Sequence, residues 1–255
     1  MIEGYFKRKV LALQDFTQLT ASAFLNAFSA PRYYIDTVAQ MDAIGVGSLS
    51  IVLLTGFFTG AILALQTYRT LQSFGEVDLM GEAVAISLVR ELGPVLTAIV
   101  VAGRNSSGIA SEIGSMLVSE QIDALRALGT DPSRKLVTPR VYATLIMLPV
   151  LTILSDFIGL IGGYLVSSSV AKLTSAEYWT MAYQSLTLHD VAQGLVKPII
   201  FGAIIALVGC YFGLNTEGGT QGVGRSTTQA VVVASVLIIL VDFFIGRFLI
   251  GIHFS

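Results

Sequence analysis

Residues Arg90 to Arg140 read RELGPVLTAIVVAGRNSSGIASEIGSMLVSEQIDALRALGTDPSRKLVTPR. This stretch carries eleven charged residues, although long and almost uncharged apolar runs lie on both sides of it. Charges at membrane depth are costly, and they usually line a cavity or pair with one another. A segment that only anchors the chain needs no such residues. We therefore interpret the stretch as the part that faces a soluble partner and responds to it.

The composition places the chain in a bilayer. Of its 255 residues, 54% are hydrophobic and 13% are charged, whereas soluble domains carry about 25% charged residues. The formal net charge of −2 argues against a nucleic-acid partner. A single cysteine, Cys210, excludes an internal disulfide. His189 and His253 lie far apart without nearby Cys or His, so no metal site is predicted.

Five apolar segments are each long enough to cross a bilayer of about 30 Å. The expected fold is therefore an all-α, polytopic membrane protein with about five transmembrane helices, occupying residues 45–252. Residues 172–197 are interpreted as a polar connection whose Tyr178, Trp179 and Tyr183 suit the membrane interface. The predicted spans are residues 43–68, 83–118, 141–171, 198–216 and 226–252.

Small residues recur at four-residue spacing in three of these spans. The first contains Gly56 and Gly60, and the same spacing recurs at Gly159–Gly163 and Gly209–Gly213. Small side chains at this spacing let helices approach closely in lipid. The pattern predicts tight helix packing.

Residues 1–44 mix apolar side chains at helical spacing with polar and basic ones, including Lys7, Arg8 and Lys9. This pattern predicts an N-terminal amphipathic helix in the membrane interface. An ordinary amphipathic packing helix fits the pattern equally well. Five spans place residues 1–44, 104–140 and 213–225 on one side, and these ranges contain ten of the fifteen Lys and Arg residues. The positive-inside rule makes that side cytoplasmic, so the C-terminus is expected outside.

The second span combines charges with a proline. Gly93-Pro94 predicts a kink, because proline removes a helix hydrogen bond. Arg90 and Glu91 come just before it, and Leu63, Leu71 and Phe74 on the first helix are expected to form an apolar wall at the same level. Such a wall beside charges suits an amphipathic ligand with acyl tails. An internal salt bridge that steadies the kink is the alternative.

Three further features bear on chemistry. Asp156 and Asp242 are isolated acids within spans; they could relay protons, but pairing with arginines on neighbouring helices is favoured. Residues 219–226, GTQGVGRS, approach the phosphate-binding pattern GxxxxGK[ST], but arginine replaces the lysine and no strand precedes them, so a tight turn is predicted. Residues 119–128 form a short helix with Leu125 and Leu128 as its apolar face, stopped by Gly129.

The chain resembles the MlaE (YrbE-type) permeases of MCE-associated ABC transporters. The resemblance is carried by RELGPVL at residues 90–96, AGR at 102–104, SEIGSMLVSEQIDAL at 111–125 and GLNTEGGTQGVGRSTTQAVV at 213–232. It implies a non-catalytic permease subunit of the bacterial inner membrane, with no metal or cofactor of its own. It also implies phospholipid as cargo and a contribution to outer-membrane lipid asymmetry.

The resemblance further implies partners and site residues. The implied partners are a second copy of the chain, a cytoplasmic ABC ATPase dimer that binds ATP and Mg²⁺, and a STAS-domain protein. On the outer side the implied partner is an MCE-domain protein, commonly hexameric. Residues 119–128 would be the cytoplasmic coupling helix. A proton-coupled secondary transporter and a membrane scaffold for an MCE protein are the alternatives. The implied coupling residues are Glu120, Gln121, Asp123, Ala124, Leu125 and Leu128, and the implied lipid-binding residues are Leu63, Leu71, Phe74, Arg90, Glu91 and Leu92.

Overall fold

The computed structural model describes residues 2–26 and 33–253, and this part of the chain is almost entirely helical. The predicted N-terminal region therefore includes residues 27–32, which lie outside the described ranges. The α-helices of the described part are α1 Ile2–Asn26, α2 Tyr34–Phe74, α3 Met80–Ser87, α4 Gly93–Val101, α5 Ser107–Val118, α6 Gln121–Ala127, α7 Thr138–Val170, α8 Ser175–Ser185, α9 Leu188–Leu214 and α10 Gly219–His253.

Five helical segments of the described chain are long and apolar enough to cross a membrane, which confirms the predicted all-α, polytopic fold. The segments are span 1 Tyr34–Phe74, span 2 Val77–Val118, span 3 Ser133–Val170, span 4 Leu188–Leu214 and span 5 Gly219–Phe248. Spans 2 and 3 each combine several helical elements, and α6 and α8 lie between spans as short connecting helices.

The last two spans begin earlier than predicted. Span 4 begins at Leu188 rather than at residue 198, because the charges of Asp190 and Lys197 are neutralised by partners on neighbouring helices. Span 5 begins at Gly219, so most of the predicted glycine-rich turn is helix. The turn itself is confined to the residues around Gly218 and Gly219, where φ is +89° and +64°. Glycine adopts such φ values without the steric cost of a side chain.

Glycines bring spans 1 and 3 into backbone contact, as their spacing predicted. A Cβ added at Gly56 would lie 2.6 Å from the Ser155 hydroxyl, and one added at Gly60 would collide with the Gly159 carbonyl. Ala64, one turn further, is fully buried. Close backbone approach supplies the van der Waals contact that holds helices together where no hydrophobic effect operates between them.

Span 2 stays helical through the predicted kink by means of two π-helical turns, at Leu88–Leu92 and Ala102–Ser106. The Gly93 amide donates to the carbonyl of Leu88, five residues earlier, directly before Pro94. Proline cannot donate to the preceding turn, and a wide turn absorbs that loss. The structure therefore places a π turn, which contains Arg90 and Glu91, directly before Pro94; the kink itself stays a prediction.

Two apolar clusters define the opposite ends of the helix bundle. One joins Ala23 of α1, Ile122 of α6 and Leu136 at the start of span 3, and we call this the α6 end. The other joins Ala64 and Met80, at the far ends of spans 1 and 2, with residues beside α8, and we call this the α8 end. The α6 end thus collects α1 and α6, as the predicted topology requires. The interfacial placement of α1 stays a prediction.

The connection at the α8 end is a packed helix rather than an aromatic belt. Tyr178 is fully buried, and its hydroxyl donates to the Leu160 carbonyl over 3.2 Å, so it is not at the lipid interface as predicted. Tyr183 is exposed. A capping box starts α8, where the Glu177 amide donates to the Thr174 hydroxyl and the Thr174 amide donates to the Glu177 carboxylate. The bonds from Thr174 lower the pKa of Glu177.

Candidate functional site

A group of charged side chains lies inside the bundle, where spans 2, 4 and 5 meet. Lys197 is its centre: its side chain is 0% exposed. Its ammonium group pairs with the carboxylate of Glu91 on span 2, and lies 3.0 Å from Asp242 Oδ1 on span 5. Gln193, one turn before Lys197, donates to Glu91 Oε1 over 3.2 Å. We call these four side chains the charge network.

A second ion pair extends the network toward the α8 end. Arg90 Nε lies 3.3 Å from Asp190 Oδ1, and Asp190 is buried. Asp190 also completes the capping box of α9, because its other carboxylate oxygen accepts from the amide and the hydroxyl of Thr187. The neighbouring residues Arg90 and Glu91 therefore do not form an internal salt bridge, as the alternative supposed. Each pairs separately with span 4.

The two isolated acids behave differently, and neither forms the predicted pair with an arginine. Asp242 pairs with Lys197 instead. Asp156 Oδ1 is buried and has no hydrogen-bond partner within the described residues. It lies against Gly93, where an added Cβ would collide with it. A buried carboxyl without a partner is costly when charged, so Asp156 is an unusual feature beside the π turn of span 2.

A cavity of about 760 Å³ lies between spans 4 and 5, next to the charge network. Its walls are mainly apolar, with Val196, Ile200 and Phe244 among them, and Gln193 joins the cavity wall to Glu91. His189 and Arg247 contribute the other polar atoms. Pockets of 300–1,000 Å³ with apolar walls and few polar groups are the usual form of small-ligand sites. The arrangement suits a long apolar molecule with a polar head.

The predicted lipid-binding residues are not gathered around this cavity in the single chain. Leu63 and Leu71 pack against the apolar cluster of the α8 end, and Phe74 is exposed at the end of span 1. Leu92 is half-buried. Arg90 and Glu91 are close to the cavity only because they pair with Asp190 and Lys197 on span 4. Their joint role in binding lipid stays a prediction.

The predicted short helix is present as α6, and its buried side packs against the cluster of the α6 end. Ile122 is fully buried in the α6-end cluster, and Leu125 packs beside it, half-buried. Leu128, which was predicted to share the apolar face, is 80% exposed. Glu120 precedes α6 with a φ of +59°, a conformation that costs a residue with a Cβ energy. The remaining predicted coupling residues, Gln121, Asp123 and Ala124, are exposed.

The outward face of α6 is therefore polar with one large apolar side chain. Asp123 accepts from Arg126 over 2.9 Å, within the same helix. Gly129 ends the helix at a φ of +74°. A short, rigidly attached helix with exposed charges and one exposed leucine is a surface that a soluble protein could contact. Its role in coupling stays a prediction.

Comparison with known proteins matches this arrangement to one family. The family model described as Permease MlaE matches residues 37–248, which cover all five spans. The chain belongs to the MlaE permease family. A probable ABC transporter permease from Rickettsia typhi is 44% identical over 227 residues, covering 89% of this chain and 88% of that protein.

Two other MlaE-family relatives have more specific names. The intermembrane phospholipid transport system permease protein MlaE of Haemophilus influenzae is 37% identical over 84% of this chain and 82% of its own length. The chloroplastic protein TRIGALACTOSYLDIACYLGLYCEROL 1 of Arabidopsis thaliana is 39% identical over 90% of this chain and 66% of its own length. This chain is thus a multi-pass permease subunit of the ABC transporter type.

Sequence reasoning missed the partners of the charge network. Lys197, Asp190 and Gln193 fall in residues 172–197, which were interpreted as a polar connection. One signal was available: Thr187 is followed three residues later by Asp190, the spacing of a capping box that starts a helix. Among residues 2–26 and 33–253, no group of three His, Cys, Asp or Glu side chains is placed to hold a metal ion.

Proposed function

We propose that this chain is the membrane subunit of an ATP-driven phospholipid transporter. The observation that carries the proposal is the fully buried Lys197, paired with Glu91 and Asp242, beside an apolar cavity of about 760 Å³ whose wall includes Gln193 of the same network. Buried charges in a membrane are costly and mark pathways for polar or charged groups. Acyl tails would occupy the apolar part of the cavity, and the polar head would lie toward the network.

The relatives support this cargo. The Haemophilus relative is named as the permease of an intermembrane phospholipid transport system. A phospholipid has both an apolar body and a charged head, as the cavity and network require. The predicted contributions of Leu63, Leu71, Phe74 and Leu92 belong to a dimer, in which a second copy covers the open side of each chain. We infer a homodimer on the strength of the family resemblance.

Energy would enter through α6. We propose that a separate ABC ATPase dimer contacts the exposed face of α6, including Glu120, Asp123 and Leu128, and binds the ATP and Mg²⁺ that this chain does not. Ile122 ties α6 to the bundle, and α6 follows directly on span 2. Movement of α6 would then pass along span 2 to its π turn at Leu88–Leu92, which holds Arg90 and Glu91. Coupling of this kind requires two states that both sites bias.

The orientation of the bundle in the membrane decides where the MCE-domain and STAS-domain proteins would bind. We propose that the α6 end faces the cytoplasm of a bacterial inner membrane and the α8 end faces outward, with the C-terminus. An MCE-domain protein, commonly hexameric, would receive or deliver lipid at the α8 end, where Tyr183 and Leu188 are exposed. A STAS-domain protein would join on the ATPase side. Exchange with the MCE protein would contribute to outer-membrane lipid asymmetry.

The test is reconstitution of the tagged chain, with the proteins that co-purify from its native membrane, into proteoliposomes containing fluorescent phospholipid. The expected result is lipid transfer to the co-purified MCE protein that requires ATP hydrolysis. Glu91→Gln should reduce transfer, because it removes the charge that pairs with Lys197. The matched control is Glu76→Gln, an exposed acid in the turn between spans 1 and 2.

Three results would contradict the proposal. Recovery of the permease alone, with no ATPase and no bound lipid, would remove the proposed energy source and cargo. Transfer that follows a pH gradient without ATP would favour the proton-coupled alternative, for which Asp156 is the specific observation, because its buried oxygen has no described partner. Transfer unaffected by Glu91→Gln, with the MCE protein still bound, would favour the scaffold.

A further inference from the structure

A second, smaller cavity lies between spans 1 and 2, toward the α6 end. Its volume is about 250 Å³, and its walls include Gln40 on span 1 and Arg104, Asn105 and Glu112 on span 2. It shares no lining residue with the cavity between spans 4 and 5. Its lining contains one cation and one carboxylate, so it suits a ligand that carries both signs of charge.

Arg104 is held in place through one of its three nitrogens. Nη1 donates to the Ala43 carbonyl over 3.0 Å and to the Ser48 hydroxyl over 3.2 Å. The guanidinium lies against Gly47, where an added Cβ would fall 2.6 Å from both Nη1 and Nη2. Nε and Nη2 make no hydrogen bond within residues 2–26 and 33–253. A positioned guanidinium with free N–H groups is a strong binder of phosphate.

Glu112 is held in a similar way. Its Oε2 lies 2.7 Å from Nη2 of Arg140, and Arg140 is buried and donates to the Leu136 carbonyl. The Glu112 side chain is nonetheless 54% exposed. Its Oε1 has no hydrogen-bond partner in the described ranges, so it is open to a donor that enters the cavity. A carboxylate of this kind binds an ammonium group.

The order of the two groups along the bundle matches the order of charges in a phospholipid. Glu112 lies nearer the α6 end than Arg104, by about 12 Å of helix rise. The Arg104 guanidinium reaches back to the Ala43 carbonyl, which shortens that separation. Ala43 also marks the edge of the uncharged run of span 1, where acyl chains begin. In a glycerophospholipid the phosphate is next to the tails, and a headgroup amine lies further into the water.

We propose that this cavity binds the headgroup of an amine-bearing zwitterionic phospholipid from the leaflet at the α6 end. The phosphate lies on Arg104 Nε and Nη2, and the ammonium lies on Glu112 Oε1. The Glu112–Arg140 pair fixes the carboxylate, and Gly47 leaves room for the guanidinium. This site is additional to the proposed transport site, which is on the opposite side of the bundle's midplane, toward the α8 end.

The test is native mass spectrometry of the delipidated full-length chain, titrated with dioleoylphosphatidylethanolamine or dioleoylphosphatidylglycerol. Both lipids carry a phosphate, but only the first carries an amine. The expected result is about a tenfold preference for the ethanolamine lipid. Glu112→Gln should abolish the preference, and Arg104→Gln should weaken binding of both lipids. Arg225→Gln, an exposed arginine in the first turns of α10, is the matched control.

A second variant distinguishes a loss of lipid binding from a folding defect. Gly47→Ala keeps both charges but displaces the guanidinium, so it should weaken binding of the ethanolamine lipid while the melting temperature stays near that of the wild type. Glycerophosphoethanolamine and inorganic phosphate serve as soluble competitors. The first carries the same phosphate and amine as the lipid and should compete with it at high concentration, whereas inorganic phosphate at the same concentration should not displace the lipid. Equal binding of the two lipids by the wild type, unchanged binding in Gly47→Ala, or displacement by phosphate would overturn the proposal. ATP-dependent transfer, measured in parallel, tests the transport function separately.

Discussion

Replacement of Lys197 by methionine is the sharpest perturbation of the charge network. Methionine is unbranched and only one heavy atom shorter than lysine, but it carries neither the charge nor the N–H donors. Lys197 is the shared partner of Glu91 and Asp242, and it is fully buried. We expect Lys197→Met to destabilise the permease and to abolish ATP-dependent lipid transfer.

The size of the effect follows from the burial of each partner. Asp242 is 21% exposed and lies 3.0 Å from the Lys197 ammonium. Removing one member of a buried ion pair costs about 3–5 kcal/mol, because the other charge is left uncompensated. The Glu91 side chain is 46% exposed, so water solvates its carboxylate when the Lys197 ammonium is removed. The loss of this second ion pair therefore adds little to the destabilisation. We therefore expect a loss of about 3 kcal/mol in the free energy of unfolding.

A double-mutant cycle measures this coupling. Asp242→Asn removes the second charge, so the double variant with Lys197→Met has no uncompensated buried carboxylate on span 5. We expect the double variant to melt at a higher temperature than Lys197→Met alone. It should still fail to transfer lipid, because the network has lost the Lys197 ammonium and the Asp242 carboxylate and Glu91 has no counter-charge there. Lys172→Met, on an exposed lysine, is the control and should change stability by less than about 0.5 kcal/mol.

Two results would refute the reasoning. If Lys197→Met melts at the same temperature as Lys172→Met, the ammonium does not compensate buried carboxylates. If the double variant is no more stable than the single one, the loss comes from packing rather than from charge. Full transfer activity in the double variant would show that lipid transfer does not need the charges of Lys197 and Asp242.

Three further substitutions test other parts of the structure. Asp123→Arg reverses the charge of the exposed face of α6. It should abolish lipid-stimulated ATP hydrolysis in the assembled complex and leave the melting temperature of the permease unchanged. Normal stimulation of ATP hydrolysis would rule out α6 as the coupling helix. Gly60→Ala places a Cβ against the Gly159 carbonyl and should destabilise the bundle by about 1–3 kcal/mol in thermal unfolding, whereas Gly224→Ala, which meets open space, should not. Asp156→Asn keeps the shape of a buried carboxyl but cannot carry a proton, so ATP-driven transfer should persist; its loss together with a pH-gradient dependence would support a proton-coupled transporter.

Local patterns in the sequence predicted the architecture well. The number of spans follows from apolar length, since every backbone group of a span must be satisfied within its own helix. The glycine spacing of spans 1 and 3 predicted tight helix packing, because small residues on one helix face allow close approach whichever helix is the partner. The short helix before Gly129 was predicted from its stop signal.

The site could not be predicted in the same way. The predicted start of span 4 was too late, because Asp190 and Lys197 are charged residues that argue against a span when only the local sequence is considered. Their ion-pair partners on other helices make them compatible with a membrane. Glu91 and Lys197 are 106 residues apart in the chain. No periodicity or spacing rule connects residues at that separation.

The sequence alone determined that this protein is a five-span helical permease, because apolar length, glycine spacing and family motifs are local properties of the chain. Tertiary structure alone decided which charges meet: Glu91 and Asp242 on Lys197, Arg90 on Asp190, and Glu112 on Arg140. The physical reason is the low dielectric of the bundle. There a charge is tolerated only where a distant part of the chain supplies its counter-charge, and that supply is a property of packing.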